Sequence, residues 1–318
     1  MSIISKDIIK AKEILSNEEL VAIPTETVYG LAGNIYSEKA INAIFTTKKR
    51  PLFNPLIVHI PNKDYLTEIA AEIPLKAQKL ADAFWPGPLT LVLPKKSHIP
   101  NIITAGKDTV AVRIPNHKTT LALLTSLDFP LAAPSANPFG KISPTRPEHV
   151  ANYFGRQLKM VLDGGPCQRG IESTIIGFEN GLPIIYRLGS ISKEVLEEVV
   201  GTLEIKNKKE ISPDAPGMLD RHYAPQTKII LVDDIKVSLK NHANKKIGVL
   251  TFTEKLEDPS VDFQLILSET GDYKEAASNL YEALHEFDQQ DLDIIIAERL
   301  PNKDLGLAIN DRLTRATK

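Results

Sequence analysis

Short apolar runs of strand length alternate with amphipathic helical stretches from residue 6 to about residue 203. This alternation restricts the chain more than any other feature, because it asks for an α/β sheet covered by helices. Leu20 to Ile23 reads as a short buried strand closed by Pro24. Further strands are expected at 56–60, 89–93, 110–114, 131–133, 160–162, 174–178 and 183–187. Residues 6–17 place Ile8, Ile9, Ala11, Ile14 and Leu15 on one helical face. Ser37 reads as the N-cap of a helix carrying Ala40, Ile41, Ile44 and Phe45. Two helical stretches cover roughly 63–84, and shorter helices are expected near 117–127, 146–154 and 192–200. The tight connection at Glu179-Asn180-Gly181 implies some antiparallel pairing.

Near residue 205 the texture changes. Lys206 to Lys209 is charged, and Ser212-Pro213-Asp214-Ala215-Pro216-Gly217 has the composition of a linker. The expected division is 1–204, a connecting segment at 205–227, and 228–318. The last segment repeats the α/β pattern on a smaller scale. Strands are expected at 228–232, 247–252, 263–267 and 294–296, with helices at 272–287 and 305–317. Ala276, Leu280, Leu284 and Phe287 share one face of the first helix. That is a small Rossmann-like domain, but without a GxGxxG loop it gives no sign of dinucleotide binding.

Composition narrows the function classes. The 318 residues carry a net charge of −2 at pH 7, so any polyanion site has to be a local patch. Cys167 is the single cysteine, which rules out an intrachain disulfide and a cysteine-rich zinc cluster, and suits a reducing compartment. No apolar run approaches a membrane span, and Met1 to Lys12 lacks a signal-peptide core. The expectation is a cytoplasmic location.

Several strand ends carry chemistry. Lys48-Lys49-Arg50-Pro51, followed by Asn54-Pro55, is expected as an exposed loop between a helix and the strand Leu56–Ile60. Arg50 and Lys48 suit phosphate oxygens there, although a basic turn in solvent has the same composition. Pro24-Thr25-Glu26-Thr27-Val28-Tyr29-Gly30-Leu31 puts hydroxyls at a strand exit, with Gly30 and Gly33 expected to permit a sharp turn. Ala132-Ala133-Pro134-Ser135-Ala136-Asn137-Pro138 is a small-residue approach to a polar turn. Ser143 or Thr145 would serve equally as a cap for the helix that follows. Arg113, inside an apolar strand, needs an anion from the protein or from a ligand, and Arg187 ends another strand in the same way. His59 is embedded in an apolar strand, where a core histidine is commoner than a catalyst. Ser/His/Asp order, HExxH and carboxylate dyads are missing from the sequence. Such a set suits binding and orienting an anionic substrate more than hydrolysis.

Seven segments together resemble the YrdC-like family, over about residues 7–203. They are Pro24–Leu31, Lys48-x-Arg50-Pro51 with Asn54-Pro55-Leu56, Phe84-Trp85-Pro86-Gly87-Pro88-Leu89-Thr90, Val112–Pro115, Ser135-Ala136-Asn137, Gly170–Thr174 and Arg187-x-Gly189. Pro216-Gly217-Met218 and Arg221-His222-Tyr223-Ala224-Pro225 resemble the linker of the family's longer, two-domain form. The resemblance implies a twisted mixed sheet with a concave basic cleft, and 205–227 acting as a lid over it. It implies an enzyme that joins L-threonine, bicarbonate (or CO2) and ATP into threonylcarbamoyl-adenylate, releasing pyrophosphate. Mg2+ would enter with ATP, with no protein side chain assigned to it. The product would pass to a separate transferase complex that modifies tRNA, with weak or absent direct tRNA binding and no membrane.

By motif position, Lys48 and Arg50 are implied to be catalytic. They are also implied to contact ATP, together with Asn54, Thr109, Ser135, Asn137, Ser143, Arg187 and Tyr223. Thr27, His59, Arg113, Ala133 and Ser173 are implied to hold threonine. Leu188, Phe139, Leu219 and Asp220 depart from the residues usual in the family, and Arg169 is an added cation without a role. Two rivals stand beside this reading: a carbamoyltransferase working through carbamoyl-adenylate, which would normally bring extra domains, and an RNA-binding module. The second would call for a basic excess or aromatic stacking motifs, and neither is present.

Overall fold

The computed structural model describes residues 3–206 and 222–318. Among the described residues, eleven strands form the first sheet. They are β1 (Ile4–Ser5), β2 (Val21–Ile23), β3 (Gly30–Asn34), β4 (Ile57–His59), β5 (Leu89–Pro94) and β6 (Thr109–Arg113), then β7 (Leu131–Ala132), β8 (Val161–Leu162), β9 (Thr174–Glu179), β10 (Leu182–Arg187) and β11 (Glu204–Ile205). Their spatial order is β1-β8-β2-β3-β7-β4-β6-β5-β9-β10-β11. Pairing is mixed: β4 lies parallel to β6 and β5 to β9, while β5–β6 and β9–β10 are antiparallel. The last of these is the hairpin expected at Asn180-Gly181, and both turn residues have positive φ.

Helices α1 (Ile8–Ser16), α2 (Glu38–Lys48), α3 (Leu66–Ile69) and α4 (Leu75–Phe84) belong to this part, as do α5 (Asn101–Thr104), α6 (Lys118–Ser126), α7 (Pro147–Phe154) and α8 (Lys193–Val200). Ser37 caps α2 as expected, its hydroxyl accepting from the Ala40 amide at 3.1 Å. Ile9 departs from expectation. It is 74% exposed while Ala11, Ile14 and Leu15 are buried, so α1 covers the sheet with a narrower stripe than its apolar residues allow. Gly30 and Gly33 also differ from the turn expected of them, since both lie inside β3. A Cβ on Gly30 would stand 3.1 Å from the Ala133 Cβ, and one on Gly33 would stand 3.1 Å from Leu20. These glycines permit close approach of neighbouring chain, not a bend.

The second sheet contains β12 (Ile229–Val232), β13 (Ile247–Thr251), β14 (Phe263–Ile266) and β15 (Ile294–Glu298), in the order β12-β15-β13-β14. All three pairings are parallel, as a Rossmann-like unit requires. Its helices are α9 (Ile235–Asn241), α10 (Tyr273–Phe287) and α11 (Gly306–Ala316). Ala276, Leu280, Leu284 and Phe287 are buried on α10 as the periodicity predicts. The chain is therefore a mixed α/β protein with two sheets. Most of the connecting segment, including Pro216-Gly217-Met218, Leu219, Asp220 and Arg221, lies outside the described residues.

The register sets up the cleft. His59 pairs with Arg113, and one step beyond the Leu91–Val112 pair puts Thr90 beside Arg113. Thr90 pairs with Ile175, and Ile175 with Arg187. One row across five strands thus reads His59, Arg113, Thr90, Ile175, Arg187, all on one face. The next row on that face includes Ile57, Ala111 and Val92. These residues join Ile175 and Tyr186 in a separate apolar cluster that floors the cleft.

Candidate active site

A cavity open to solvent lies over this row. Its lining includes Thr27, Arg50, His59, Arg113, Ala133, Ser135, Ser173, Arg187 and Tyr223, all marked from sequence, together with Glu172 and His222. Loops meeting at the sheet bring these residues together. The Gly30–Ser135 bridge and the Ala136 N–H to Tyr29 O bond (2.7 Å) clamp the Pro24–Leu31 segment against the Pro134–Ala136 turn. Thr25 shapes the former, its hydroxyl accepting from the Thr27 and Val28 amides and donating to Val28 O at 2.6 Å. That leaves Thr27 facing the cavity.

The basic segment differs most from its expectation. Lys48 is the last residue of α2, and both Lys48 and Arg50 are buried. Only Lys49 is exposed, in the left-handed conformation that ends the helix. The Lys48 ammonium donates to the carbonyl oxygens of Ser135 and Asn137, and the Phe139 amide donates to Lys48 O at 2.7 Å. Burial, then the neighbouring Arg50, hold the Lys48 pKa well below the usual lysine range. The exposed-loop expectation fails because those main-chain acceptors, supplied from a distant turn, replace water around the ammonium.

Arg50 points into the cavity, steadied by Asn54. Its Nη2 donates to Asn54 Oδ1 at 2.6 Å and to Pro55 O at 2.8 Å, and its Nε to Asn54 O at 3.2 Å. These acceptors are neutral. Burial and then the charge of Arg187 push its pKa down to about 9. A guanidinium still holds its proton at neutral pH. The site therefore carries positive charge that an entering anion would stabilise.

Arg187 and Ser173 form one unit. Arg187 Nη2 donates to Ser173 O at 2.8 Å and to its hydroxyl at 3.0 Å, and that hydroxyl lies 2.7 Å from Thr90 Oγ1. Gly189 makes this possible, because a Cβ there would sit 2.4 Å from the Ser173 carbonyl carbon and the Thr174 nitrogen. At the other end of the row Arg113 Nη2 lies 2.7 Å from Glu26 Oε2, a close ion pair without hydrogen-bond alignment. The protein thus supplies the anion that the buried guanidinium requires, while Arg113 still faces the cavity. Burial, followed by the charge of Arg113, lowers His59 to about 3, so this imidazole is neutral at physiological pH.

Five residues marked from sequence stand outside the lining. Lys48, Asn54 and Asn137 form the support just described, with Asn137 Nδ2 donating to Pro138 O and Lys141 O at 2.9 Å each. Ser143 is buried and donates to Glu172 Oε1 at 2.7 Å. Neither Ser143 nor Thr145 caps α7, whose N-cap position is Arg146. Thr109 shares the face of Arg113 but lies four residues along β6, about 13 Å away at strand rise.

Sequence reasoning gave Glu172 no role and missed its partners in the second domain. Glu172 accepts from Tyr281 of α10 at 3.0 Å and from Arg312 Nε of α11 at 2.9 Å. Burial would raise its pKa, but Arg312, then Arg187 and the Ser143 bond, overcome that and hold it at about 2. A polar stripe on α10, Ser278, Tyr281, Glu282 and His285, has the spacing of one helix face and meets the first domain throughout. That stripe was the available signal for a domain interface. Tyr223 lies buried between the domains, its ring stacked on Tyr281 at 5.6 Å and beneath the Arg312 guanidinium at 5.0 Å.

Comparison with known proteins settles the family. Residues 13–189 match the Sua5/YciO/YrdC family model, described as "Telomere recombination". Residues 191–317 match the model described as "Threonylcarbamoyl-AMP synthase, C-terminal domain". The chain belongs to the two-domain, YrdC-like threonylcarbamoyl-AMP synthase family. It is an enzyme. It is 41% identical to the threonylcarbamoyl-AMP synthase of Pyrococcus abyssi, covering 94% of this chain and 90% of that protein. Identity to the Bacillus subtilis synthase is 39%, over 97% and 92%. A solved structure of P. abyssi Sua5 complexed with L-threonine superposes with a TM-score of 0.91 at 41% identity, covering 98% of this chain and 94% of that one. Among the described residues no helix is long and apolar enough to cross a membrane, and no cluster of three His, Cys, Asp or Glu side chains is placed to hold a metal.

Proposed function

We propose that the cleft joins L-threonine, CO2 taken up from bicarbonate, and ATP into threonylcarbamoyl-AMP and pyrophosphate. One observation carries this reading. Two cations, Arg50 and Arg187, share one cavity with a second group of polar residues built from Thr27, His59, Arg113 and Ser173. The P. abyssi relative is described in complex with L-threonine, which supports threonine as the amino acid. The threonine amine adds to CO2 and loses a proton, giving a carbamate. A carbamate oxygen then attacks the α-phosphorus of ATP, and the bond to the departing pyrophosphate oxygen breaks.

Two anions have to meet in that step, so the protein's task is to offset repulsion and to orient the reactants. Arg50 and Arg187 stabilise the phosphate charge, with Ser135 and Tyr223 completing the nucleotide end. Lys48, Asn54, Asn137 and Ser143 act from behind by fixing the turns that carry the ligands. Thr109 lies on the same face, where only an extended nucleotide would reach it. Arg113 presents its fork to the amino-acid carboxylate, with Thr27, His59, Ser173 and the Ala133 backbone around the remainder. Glu172, which lines the cavity, and Glu26, which pairs with the lining residue Arg113, are both engaged by arginines. That arrangement suits Mg2+ carried on the ATP phosphates and its own waters. The adenylate would be handed to a tRNA-modifying transferase in the cytoplasm, with no tRNA surface needed on this chain.

The test incubates protein with Mg2+, ATP, bicarbonate and L-threonine, measuring pyrophosphate and the adenylate by mass. Pyrophosphate release that is independent of threonine would refute the proposal.

A further inference from the structure

We propose that a second pocket, walled by Phe84, Trp85, Pro86 and Pro88 and sharing no lining residue with the cleft, binds a small organic monoanion: a carboxylate carried on a flat apolar body. This goes beyond the functional reading above and does not depend on it. Three side chains would take the carboxylate. Arg169 and Lys274 line the pocket and are exposed, and neither has a carboxylate partner among the described residues. Ser192 lines it too, only 6% exposed, and no group among the described residues bonds its hydroxyl. It is the N-cap residue of α8, yet its side chain makes no cap bond, which leaves the first turn of that helix uncapped. Leu305, the N-cap residue of α11, reaches the same pocket and provides no cap bond either. Two cations, a buried hydroxyl and the starts of two helices therefore meet in one place, all of them suited to negative charge.

The main chain that carries Arg169 is pinned, while its side chain is exposed. The Arg169 amide donates to Glu26 O at 2.7 Å, and Gln168 O accepts from the Ser278 hydroxyl at 3.0 Å. Gly170 lies so close to α10 that a Cβ there would stand 2.3 Å from Ser278 O. This close approach sets Arg169 near the start of α10, where Lys274 stands. A rigidly placed guanidinium with no ion pair of its own is preorganised for a ligand. Charge selects the head group. Two cations against the single carboxylate of Asp304 leave the lining one positive charge, and Glu194 in the first turn of α8 opposes a second negative charge on the ligand. A carboxylate therefore suits the pocket better than a phosphate monoester. Trp85, Phe84, Val195 and Leu305 supply aromatic and aliphatic surface for the body. The wall also touches the cleft at one remove, because Gly87 O accepts from Arg113 Nε at 3.3 Å and Pro88 O from the Thr174 amide at 3.0 Å. An occupant would rest on main chain that steadies Arg113.

Trp85 is the single tryptophan of the chain, so its fluorescence reports this pocket. The full-length protein is titrated with hydrocinnamate, with its neutral amide, and with phenethylphosphonate at a pH where the phosphonate is doubly charged. Hydrocinnamate is expected to give a saturable change with a Kd of about 1 mM or tighter. The amide and the phosphonate are expected to bind at least about fivefold more weakly. Arg169→Gln, Lys274→Gln and Ser192→Ala should each weaken hydrocinnamate at least about threefold. The two cations are exposed, so their variants keep the fold. Saturating L-threonine together with a non-hydrolysable ATP analogue should leave hydrocinnamate bound, its Kd changed by less than about threefold. A response that does not saturate, an amide that binds as well as the acid, or variants without effect would mean an adventitious additive only and would overturn the proposal. Displacement by the two cleft ligands would place the anion in the cleft and overturn it as well.

Discussion

Acid should loosen the joint between the two domains through one carboxyl group, and the size of the effect follows from its surroundings. Glu172 is buried among Ser143, Tyr281 and Arg312. Its folded pKa is about 2, against 4.5 for the free side chain, because Arg312 and Arg187 outweigh the cost of burial. The difference corresponds to about 3 kcal/mol. The folded value is the lower one, so the unfolded chain takes up the proton first. The contribution is complete above about pH 5 and is lost as pH falls from about 4.5 to about 2. Glu172→Gln cannot titrate and leaves the Arg312 charge buried without its partner, at a cost of about 3–5 kcal/mol near pH 7. The gap between variant and wild type should then shrink by about 3 kcal/mol on going to about pH 2. Urea unfolding of both proteins across that range, followed by circular dichroism, measures it. A gap that stays constant with pH would show that Glu172 is not the ionised centre of the joint.

Three further outcomes follow from the same geometry. Lys48→Met removes a buried charge but strands the Ser135 and Asn137 carbonyls, so the variant should lose about 1–3 kcal/mol and bind ATP more weakly than threonine would suffer; thermal unfolding and calorimetry check both. Gly189→Ala would force a methyl to within 2.4 Å of the Ser173–Thr174 backbone, displacing Arg187 and Ser173 together. Turnover should drop about a hundredfold or more, and a variant with normal steady-state kinetics would contradict the close approach. Arg113→Lys retains a charge beside Glu26 but not a bidentate fork, so threonine affinity should fall about tenfold with little change in melting temperature, read by calorimetry and scanning calorimetry.

Much of the fold was legible because local chemistry decided it. The Ser37 cap, the Asn180-Gly181 hairpin and the buried face of α10 depend on residues within a few positions of one another. Errors arose where a distant partner settled the outcome. Lys48 is a polar residue at a helix end, which locally favours solvent, yet carbonyls from residues 135 and 137 bury it. Gly30 and Gly33 carry the local mark of a turn, but the proximity of Ala133 and Leu20 makes them strand residues.

The site divides along the same line. By itself the sequence determined the strand ends, the hydroxyl-rich turns and the cations that would meet an anion, since each motif carries its own chemistry in consecutive residues. Only the tertiary structure decided which of those groups face the cavity and which brace it. It alone joined Glu172 to Tyr281 and Arg312, residues more than a hundred positions apart. A buried ion pair is fixed by three-dimensional register and desolvation, and neither partner's neighbours in the chain record the other's position.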